Sequence, residues 1–472
     1  MQQKTKSGTF FPRSAKDSVS EDWSQSGAAQ PLRRKEGHLD NQAKLLLLVN
    51  ILFIAASTLS GAFVTVYLWK VKSQFAPIAW FTFATHFAGA LTFWLAGAWI
   101  KRANKMNALR VGMAVSAFFY LLVLLLGQHT VQYAAWIGIV QGLASGFFWL
   151  AFNVVYFEIT ERDNRDRFNG WAGLLASGAG MLAPWISGLL IAKLPDKTGY
   201  TLIFSLSLSL FIVGVIVSFF LKKRQTDGDY SWQFAFRTLR HNPNWRLAAG
   251  ALAGQGLREG VFGFIISLLV YISTKSELSL GNYSLVTSAV GLASYFLIGK
   301  LFKPTYRKWS MLAGAVVMTG VLLIFFWQIS YTTLLVFGIA VALAYPLYSV
   351  PILSTVFDLI GTNAESAQHR VEYVVLREFA LDAGRMVGVL LFLVVTSVST
   401  DPATLKWLIH WDWQRSFDRL ALPITAVFHR AQQADGRVMA TFSAILSYRS
   451  PKKFTIRKQM FFMGLPFSRY FH

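Results

Sequence analysis

The sequence predicts an all-α membrane protein that crosses the lipid bilayer many times. Hydrophobic residues make up 54% of the 472-residue chain and charged residues only 14%, whereas ordinary soluble domains contain about 25% charged residues. The chain also contains eleven apolar runs, each near the length of about 20 residues that a helix needs to cross the hydrocarbon layer. Together, the composition and the runs indicate a chain that is embedded in lipid.

The eleven runs form two groups, which a long basic segment separates. A single apolar run is also compatible with a buried core helix, but eleven in succession favour membrane spans. The first six spans are predicted at 45–69, 77–100, 108–127, 131–157, 171–192 and 200–221, and the next five at 247–272, 281–301, 309–328, 331–357 and 371–397.

The basic residues predict the direction in which the spans run. If the N-terminus is cytoplasmic, the inside segments contain 26 Lys and Arg residues and the outside loops contain only 5. Basic residues collect on the cytoplasmic side of membrane proteins. We therefore expect a multi-pass protein of the plasma membrane with its N-terminus in the cytoplasm.

The spans divide the chain into five predicted segments. Residues 1–44 are polar and rich in Ser and Gln, which is typical of a disordered tail, here a cytoplasmic one. The remaining segments are an N-terminal bundle at 45–221, a cytoplasmic central loop at 222–246, a C-terminal bundle with five clear spans at 247–397 and a basic tail at 398–472.

Composition and missing motifs exclude several classes of function. The chain contains no cysteine, which excludes disulfides and thiolate metal sites. It has neither a phosphate-binding G-x-x-x-x-G-K-[ST] loop nor an H-E-x-x-H motif, so we predict neither an enzyme nor a bound cofactor or metal. The net charge is +22, but the basic residues lie between the apolar runs and not on one soluble face. We therefore do not expect nucleic acid as a partner.

Two loops of the chain are related by an internal repeat. GAWIKRANKMNALRVG, residues 97–112, resembles GKLFKPTYRKWSMLAG, residues 299–314. Six spans separate the copies, so both cross the membrane in the same direction, which indicates a parallel repeat. At a constant offset of 202 residues, Gly97 matches Gly299, Lys101 matches Lys303, Lys105 matches Arg307 and Gly112 matches Gly314.

With this repeat, the chain resembles the major facilitator superfamily (MFS) of transporters. The loop of that family usually reads G-x-x-x-D-R-x-G-R-K; Gly97, Arg102 and Lys105 keep the pattern, whereas Lys101 and Asn104 replace its Asp and second Gly. The resemblance implies two bundles of six helices each. In this chain, the twelfth span is missing or altered. It also implies that basic residues of the cytoplasmic loops take part in gating; these are Arg102, Lys105, Arg165, Arg167 and Arg307, with Gly97 and Gly299 beside them.

Two longer stretches narrow the resemblance. NRDRFNGWAGLL and SAQHRVEYVVLRE resemble a branch of the superfamily from Gram-positive bacteria. In span five, Gly180, Pro184 and Gly188 fall on one face. This pattern is similar to the Gly-Pro signature of MFS proton antiporters, but close packing of small residues between helices is the other interpretation.

Span eleven contains four charged residues in the stretch LREFALDAGRM, namely Arg377, Glu378, Asp382 and Arg385. Each costs roughly 2.5–3.5 kcal/mol at the centre of a helix that faces lipid, so they must face protein or water. At 100° per residue, Glu378, Asp382 and Arg385 share one face, and Asp382 and Arg385 are close enough to pair. Arg377 points elsewhere and can extend toward the inner headgroups.

Span seven offers partners for these charges. Arg258 and Glu259 lie about 18 Å from its start at 1.5 Å per residue, near the middle of the bilayer, and are expected to pair with Glu378 or its neighbours. One interpretation is a set of structural ion pairs that hold the halves in one access state. The other is a carboxylate that takes up and releases a proton, with Glu259 the first choice and Asp382 the second.

Other polar residues in the spans are candidates for lining a substrate cavity. The resemblance implies that spans one, four, seven and ten surround the substrate, which favours Trp149 and Asn153 in span four and Tyr345 and Tyr348 in span ten. Asn50, His86 and Gln141 also lie in spans, where a hydrogen bond to a neighbouring helix is the alternative role.

The end of the chain departs from the family. Residues 400–472 contain 11 Lys or Arg and 4 Asp or Glu, and their uncharged stretches are too short to cross a bilayer. One hypothesis is an altered reading frame near residue 410. The alternative is a genuine tail that folds on the surface.

The function predicted from these features is secondary transport. The substrate is a small organic solute moved by alternating access, and proton-coupled efflux is favoured over uptake. The alternatives are a membrane sensor or scaffold on an MFS frame, and an inactive remnant.

Overall fold

A computed structural model describes residues 39–102, 104–160, 165–223, 230–301, 306–326, 328–361 and 369–398. Nearly all of the predicted N-terminal tail, and all of the predicted C-terminal tail except residue 398, lie outside these residues. The described residues form twelve α-helices, and the predicted all-α class is therefore confirmed. They are α1 (Asn41–Lys72), α2 (Phe75–Arg102), α3 (Lys105–Leu126), α4 (Ala134–Ile159), α5 (Arg165–Lys193), α6 (Asp196–Ser218), α7 (Phe234–His241), α8 (Pro243–Thr274), α9 (Glu277–Leu301), α10 (Arg307–Gly320), α11 (Tyr331–Gly361) and α12 (Arg370–Val398).

Polar residues fix where several of the long helices begin. The carboxylate of Asp40 accepts a hydrogen bond of 2.7 Å from the Ala43 amide at the start of α1. Asn104 and Asn242 cap α3 and α8 in the same way. Such side chains satisfy amide groups that the first helical turn leaves without partners.

Ten helical segments are long and apolar enough to cross a membrane in the part of the chain that the structure describes. One of them combines α10 with the 3₁₀ helix Val321–Phe326 that follows it. The ten segments coincide with ten of the eleven predicted spans. The predicted eighth span coincides with the helix α9, which is not one of the ten within the described residues.

Glycines allow the closest helix pairs to form. Gly138, Gly142 and Gly146 on α4 lie directly against the backbone or side chains of α2. Gly256 and Gly260 on α8 lie against the backbone of α12. Close approach through small residues is the usual way in which helices pack in lipid.

Two glycines of the internal repeat, Gly112 and Gly314, pack against a neighbouring helix in the same way, one in each half. A side chain at Gly112 would lie 2.5 Å from the Phe148 amide on α4, and one at Gly314 would lie 3.0 Å from the Tyr348 amide on α11. Both glycines therefore allow the same kind of close crossing, of α3 with α4 and of α10 with α11.

Two helix pairs make the most extensive contacts between α1–α6, the first half, and α8–α12, the second half. The pairs are α2 with α12 and α5 with α9. At the second pair, the carbonyl of Glu277 lies 2.5 Å from the position of a β-carbon on Gly188. Gly188 therefore serves helix packing, whereas Gly180 faces open space.

We expect Gly256→Ala to destabilise the protein, because its new methyl group would overlap the Leu381 carbonyl of α12. Overpacking of this kind costs about 1–3 kcal/mol. The matched control is Gly263→Ala on the same helix, where a β-carbon meets open space. Thermal unfolding followed by tryptophan fluorescence should show a lower midpoint for G256A only; equal midpoints would contradict the close crossing.

Candidate functional site

A chain of polar side chains lies near the middle of four helices and is the candidate functional site. It is called the central network here and consists of His86 on α2, Asp382 and Arg385 on α12, Gln255 and Glu259 on α8, and Tyr345 on α11. Because each residue lies far from the ends of its helix, the network sits deep in the apolar layer.

Glu259 and Arg385 form the main ion pair of the network. The Nε and Nη2 atoms of Arg385 donate hydrogen bonds of 3.0 and 2.7 Å to Oε2 of Glu259. The other oxygen, Oε1, accepts bonds of 2.9 Å from Gln255 and 3.0 Å from the Tyr345 hydroxyl. Four donors therefore stabilise the charged form of one carboxylate.

Asp382 extends the network to the first half of the molecule. Its Oδ1 accepts a bond of 2.8 Å from Nη1 of Arg385 and lies 3.2 Å from Nδ1 of His86. The Asp382 side chain is only 6% exposed, and Gly89 leaves space for its other oxygen. A single carboxylate thus contacts an arginine of its own helix and a histidine of the opposite half.

Arg258 and the two predicted tyrosines lie beside Glu259. The Arg258 guanidinium stands 4.8 Å from the ring centre of Tyr345, and Tyr348 lies near the charges of Arg258 and Glu259. Cations are attracted to the faces of aromatic rings. This corner of the network combines charge with aromatic surface.

Arg377 and Glu378 are neighbours in the chain and pair with each other in the structure. Their predicted part in gating or coupling stays a prediction, and so does the expected pairing of Glu378 with span seven. The predicted Asp382–Arg385 pair is present.

Trp149 and Asn153 lie in the first half, on α4. The Trp149 ring packs edge-on against Phe53, with ring centres 5.5 Å apart, and Asn153 is partly buried. Their predicted role in the cavity stays a prediction.

The predicted gating residues lie at the face of the membrane domain where α1 begins, called the amino-terminal face. Lys105 is buried and pairs with Glu158 at the end of α4, within one half. The Tyr230 ring packs on Gly97, whereas Gly299 faces open space. Arg102 and Arg167 are exposed, Arg307 is partly buried and Arg165 begins α5.

At this face, Lys101 joins the two halves. Its Nζ lies 2.6 Å from Oε1 of Glu372 on α12, and the same oxygen accepts a bond from the Ser231 amide. Burial raises the pKa of Tyr230, and the nearby Glu372 carboxylate raises it further, so this hydroxyl stays neutral. Lys101 replaces the family's Asp, and the structure gives it an acidic partner, which reverses the charge at this position.

A second pair joins the halves at the opposite face. Nζ of Lys70, near the end of α1, lies 2.9 Å from Oε1 of Glu277 at the start of α9. The hydroxyl of Tyr200 donates a bond of 3.1 Å to the same oxygen. The halves are thus joined by polar contacts at both faces and, through His86 and Asp382, in the middle.

Sequence reasoning did not identify these contacts between the halves as functional. Glu277 and Glu372 lie close to helix ends, where charged residues are common. His86 was a candidate but had no assigned partner. The sequence does allow Gln255 to be placed beside Glu259, because it precedes Glu259 by four residues and such pairs share a helix face.

The fold is that of a multi-pass membrane transporter built from two helical halves. It is similar to the crystal structure of a bacterial homologue of the iron transporter ferroportin in its outward-facing state, with a TM-score of 0.59, 16% identity and coverage of 84% of this chain and all of that one. The inward-facing state of a bacterial ferroportin homologue gives a TM-score of 0.60 at 15% identity, covering 82% of this chain and 98% of that one.

The chain belongs to the Major Facilitator Superfamily, whose family model matches residues 45–389. It is also 43% identical over 369 residues to the uncharacterized protein YqgE of Bacillus subtilis, which covers 78% of this chain and 86% of that protein. The resemblance inferred from the loop and repeat motifs is therefore confirmed.

Proposed function

We propose that this transporter moves a small organic solute by alternating access and couples the movement to protons through Glu259. The observation that supports the proposal is the central network, in which carboxylates at mid-depth contact both halves of the molecule. Ionisable residues inside a membrane domain mark ion and proton pathways more often than structural sites.

A proton on Glu259 changes the partners of Arg385. Neutral Glu259 no longer holds the guanidinium, which then binds Asp382 more strongly. Asp382 is shared with His86 of the other half, so a stronger bond to Arg385 weakens its contact with that histidine. Protonation on α8 is thereby linked to a contact between the rocking halves.

The solute binds beside this network in the proposed mechanism. Arg258 and Tyr345 provide a cation and an aromatic face, which suit an amphipathic organic molecule. The amino-terminal face is cytoplasmic in this proposal, because the Lys and Arg residues collect there, and the favoured direction is efflux.

A transport screen tests the proposal. Inside-out vesicles that contain the protein are energised, and loss of their pH gradient is recorded on addition of organic cations, neutral solutes, organic acids or divalent metals. Metals are included because the similar solved structures concern homologues of an iron transporter. We expect an organic compound to discharge the gradient; a response to metals alone would reject the organic substrate, and no flux would favour a sensor or scaffold.

A further inference from the structure

A pocket of about 440 Å³ lies within the first half, at the face opposite the amino-terminal one. It is formed by α1, α3 and α6 together with the 3₁₀ turn Gly127–Val131. Its volume lies within the usual range for small-molecule sites, roughly 300–1,000 Å³. The pocket is separate from the central network and shares no residue with it.

The side chains of the pocket favour an anion with an apolar part. Lys70 and Lys197 contribute two ammonium groups, and Gln128 and Thr201 add polar groups. Among the residues that line it in the described structure, none is an Asp or a Glu. Val123, Leu124 and Phe204 provide an apolar wall.

Two residues of this pocket also hold the halves together. Lys70 and Tyr200 line the pocket, and both bind Oε1 of Glu277 in the second half. A carboxylate or phosphate in the pocket would approach the same ammonium and hydroxyl groups. Glu277 is therefore a built-in competitor for any anionic ligand.

We propose that this pocket binds an amphipathic anion, and that the ligand competes with Glu277 for Lys70 and Tyr200. Binding then weakens the contact between the halves at this face. The inference does not depend on proton coupling or on the identity of the transported solute, since the site lies away from the central network.

The experiment uses a single thiol in a chain that has no native cysteine. Thr201→Cys places the thiol in the pocket, and Gln132→Cys places a control thiol at an exposed site on the same face. The protein in phosphatidylcholine nanodiscs is treated with anionic or cationic methanethiosulfonate reagents. We expect the anionic-to-cationic rate ratio to be roughly 30-fold higher for T201C than for Q132C. One ammonium at about 4 Å in water speeds the anionic reagent about fivefold and slows the cationic reagent by the same factor.

Dodecanoate is the soluble probe, and dodecyltrimethylammonium is its cationic control. Dodecanoate should slow the labelling of T201C and leave that of Q132C unchanged. Added to T201C, K197Q should weaken this protection about fivefold, because one ammonium is lost, whereas E277Q should strengthen it, because Glu277 no longer competes.

A final arm distinguishes a lipid headgroup from a free anion. If nanodiscs with phosphatidylglycerol protect T201C without added dodecanoate, the ligand is an anionic lipid; if only dodecanoate protects, it is a free amphipathic acid. Both results support the site. Equal rate ratios at the two thiols, equal protection by both dodecyl probes, or weaker protection in E277Q would overturn it.

Discussion

Glu259→Gln is expected to abolish uphill transport driven by a proton gradient, while exchange of solute across the membrane survives. The amide cannot carry a proton, yet it keeps nearly the same shape and can still bond to the Tyr345 hydroxyl. Driven flux and exchange should be measured in proteoliposomes with the compound that the vesicle screen identifies. Driven flux should be lost completely, because Glu259 carries the proton in the proposed mechanism.

Two controls make this result specific. Asp40→Asn makes the same carboxyl-to-amide change at the cap of α1, far from the network, and should leave driven flux unchanged because Asn also caps helices well. Tyr345→Phe removes one hydrogen bond to Glu259 and should give an intermediate rate. If E259Q still drove uphill transport, Glu259 would have no role in coupling.

Arg385→Ala is expected to destabilise the protein by about 3 kcal/mol, the lower end of the loss when one partner of a buried ion pair is removed. The lower end applies because the Arg385 and Glu259 side chains are 24% and 23% exposed. The substitution leaves Glu259 and Asp382 without the guanidinium that contacts both. Thermal unfolding in detergent should show a clearly lower midpoint.

A neutral triple variant separates lost charge balance from lost packing. Glu259→Gln, Asp382→Asn and Arg385→Gln together remove all three charges but keep polar side chains of similar size. This variant should recover most of the stability that R385A loses, because no charge is then buried without a partner. A triple variant as unstable as R385A would show that packing, not charge, governs this site.

Local patterns explain why much of the membrane domain was predictable from sequence. Each span is set by its own run of apolar residues, and the Asp382–Arg385 pair follows from a spacing of three on one helix. The repeat was visible because Gly112 and Gly314 each allow a close helix crossing, and this constraint acts over a few residues. Features that depend on one helix or one crossing therefore appear in the sequence.

The contacts between the halves were not predictable in the same way. Lys101 and Glu372 are 271 residues apart in the chain, and Lys70 and Glu277 are 207 apart. Helical periodicity shows which face a residue occupies, but not which distant helix meets that face. The partner of His86 depends likewise on how α2 and α12 cross.

In the proposed mechanism, the two halves rock about the central network, so that the ion pairs at the two faces open in turn. The structure contains an ion pair at each face, Lys101–Glu372 at the amino-terminal face and Lys70–Glu277 at the opposite one. In this mechanism each pair holds its own face closed. Weakening one pair should then favour opening at its own face and closure at the other. This test needs no known substrate.

The most direct measurement is the distance between spin labels at each face, on this cysteine-free chain. Exposed positions are available in both halves: Asn107 and Lys308 for the amino-terminal face, and Gln132 and Gln328 for the opposite face. With pulsed electron resonance, we expect Lys101→Gln to lengthen the N107C–K308C distance and shorten the Q132C–Q328C distance, and Lys70→Gln to do the reverse. Distances that stay fixed in both variants, or that lengthen together at both faces, would contradict alternating access in this protein.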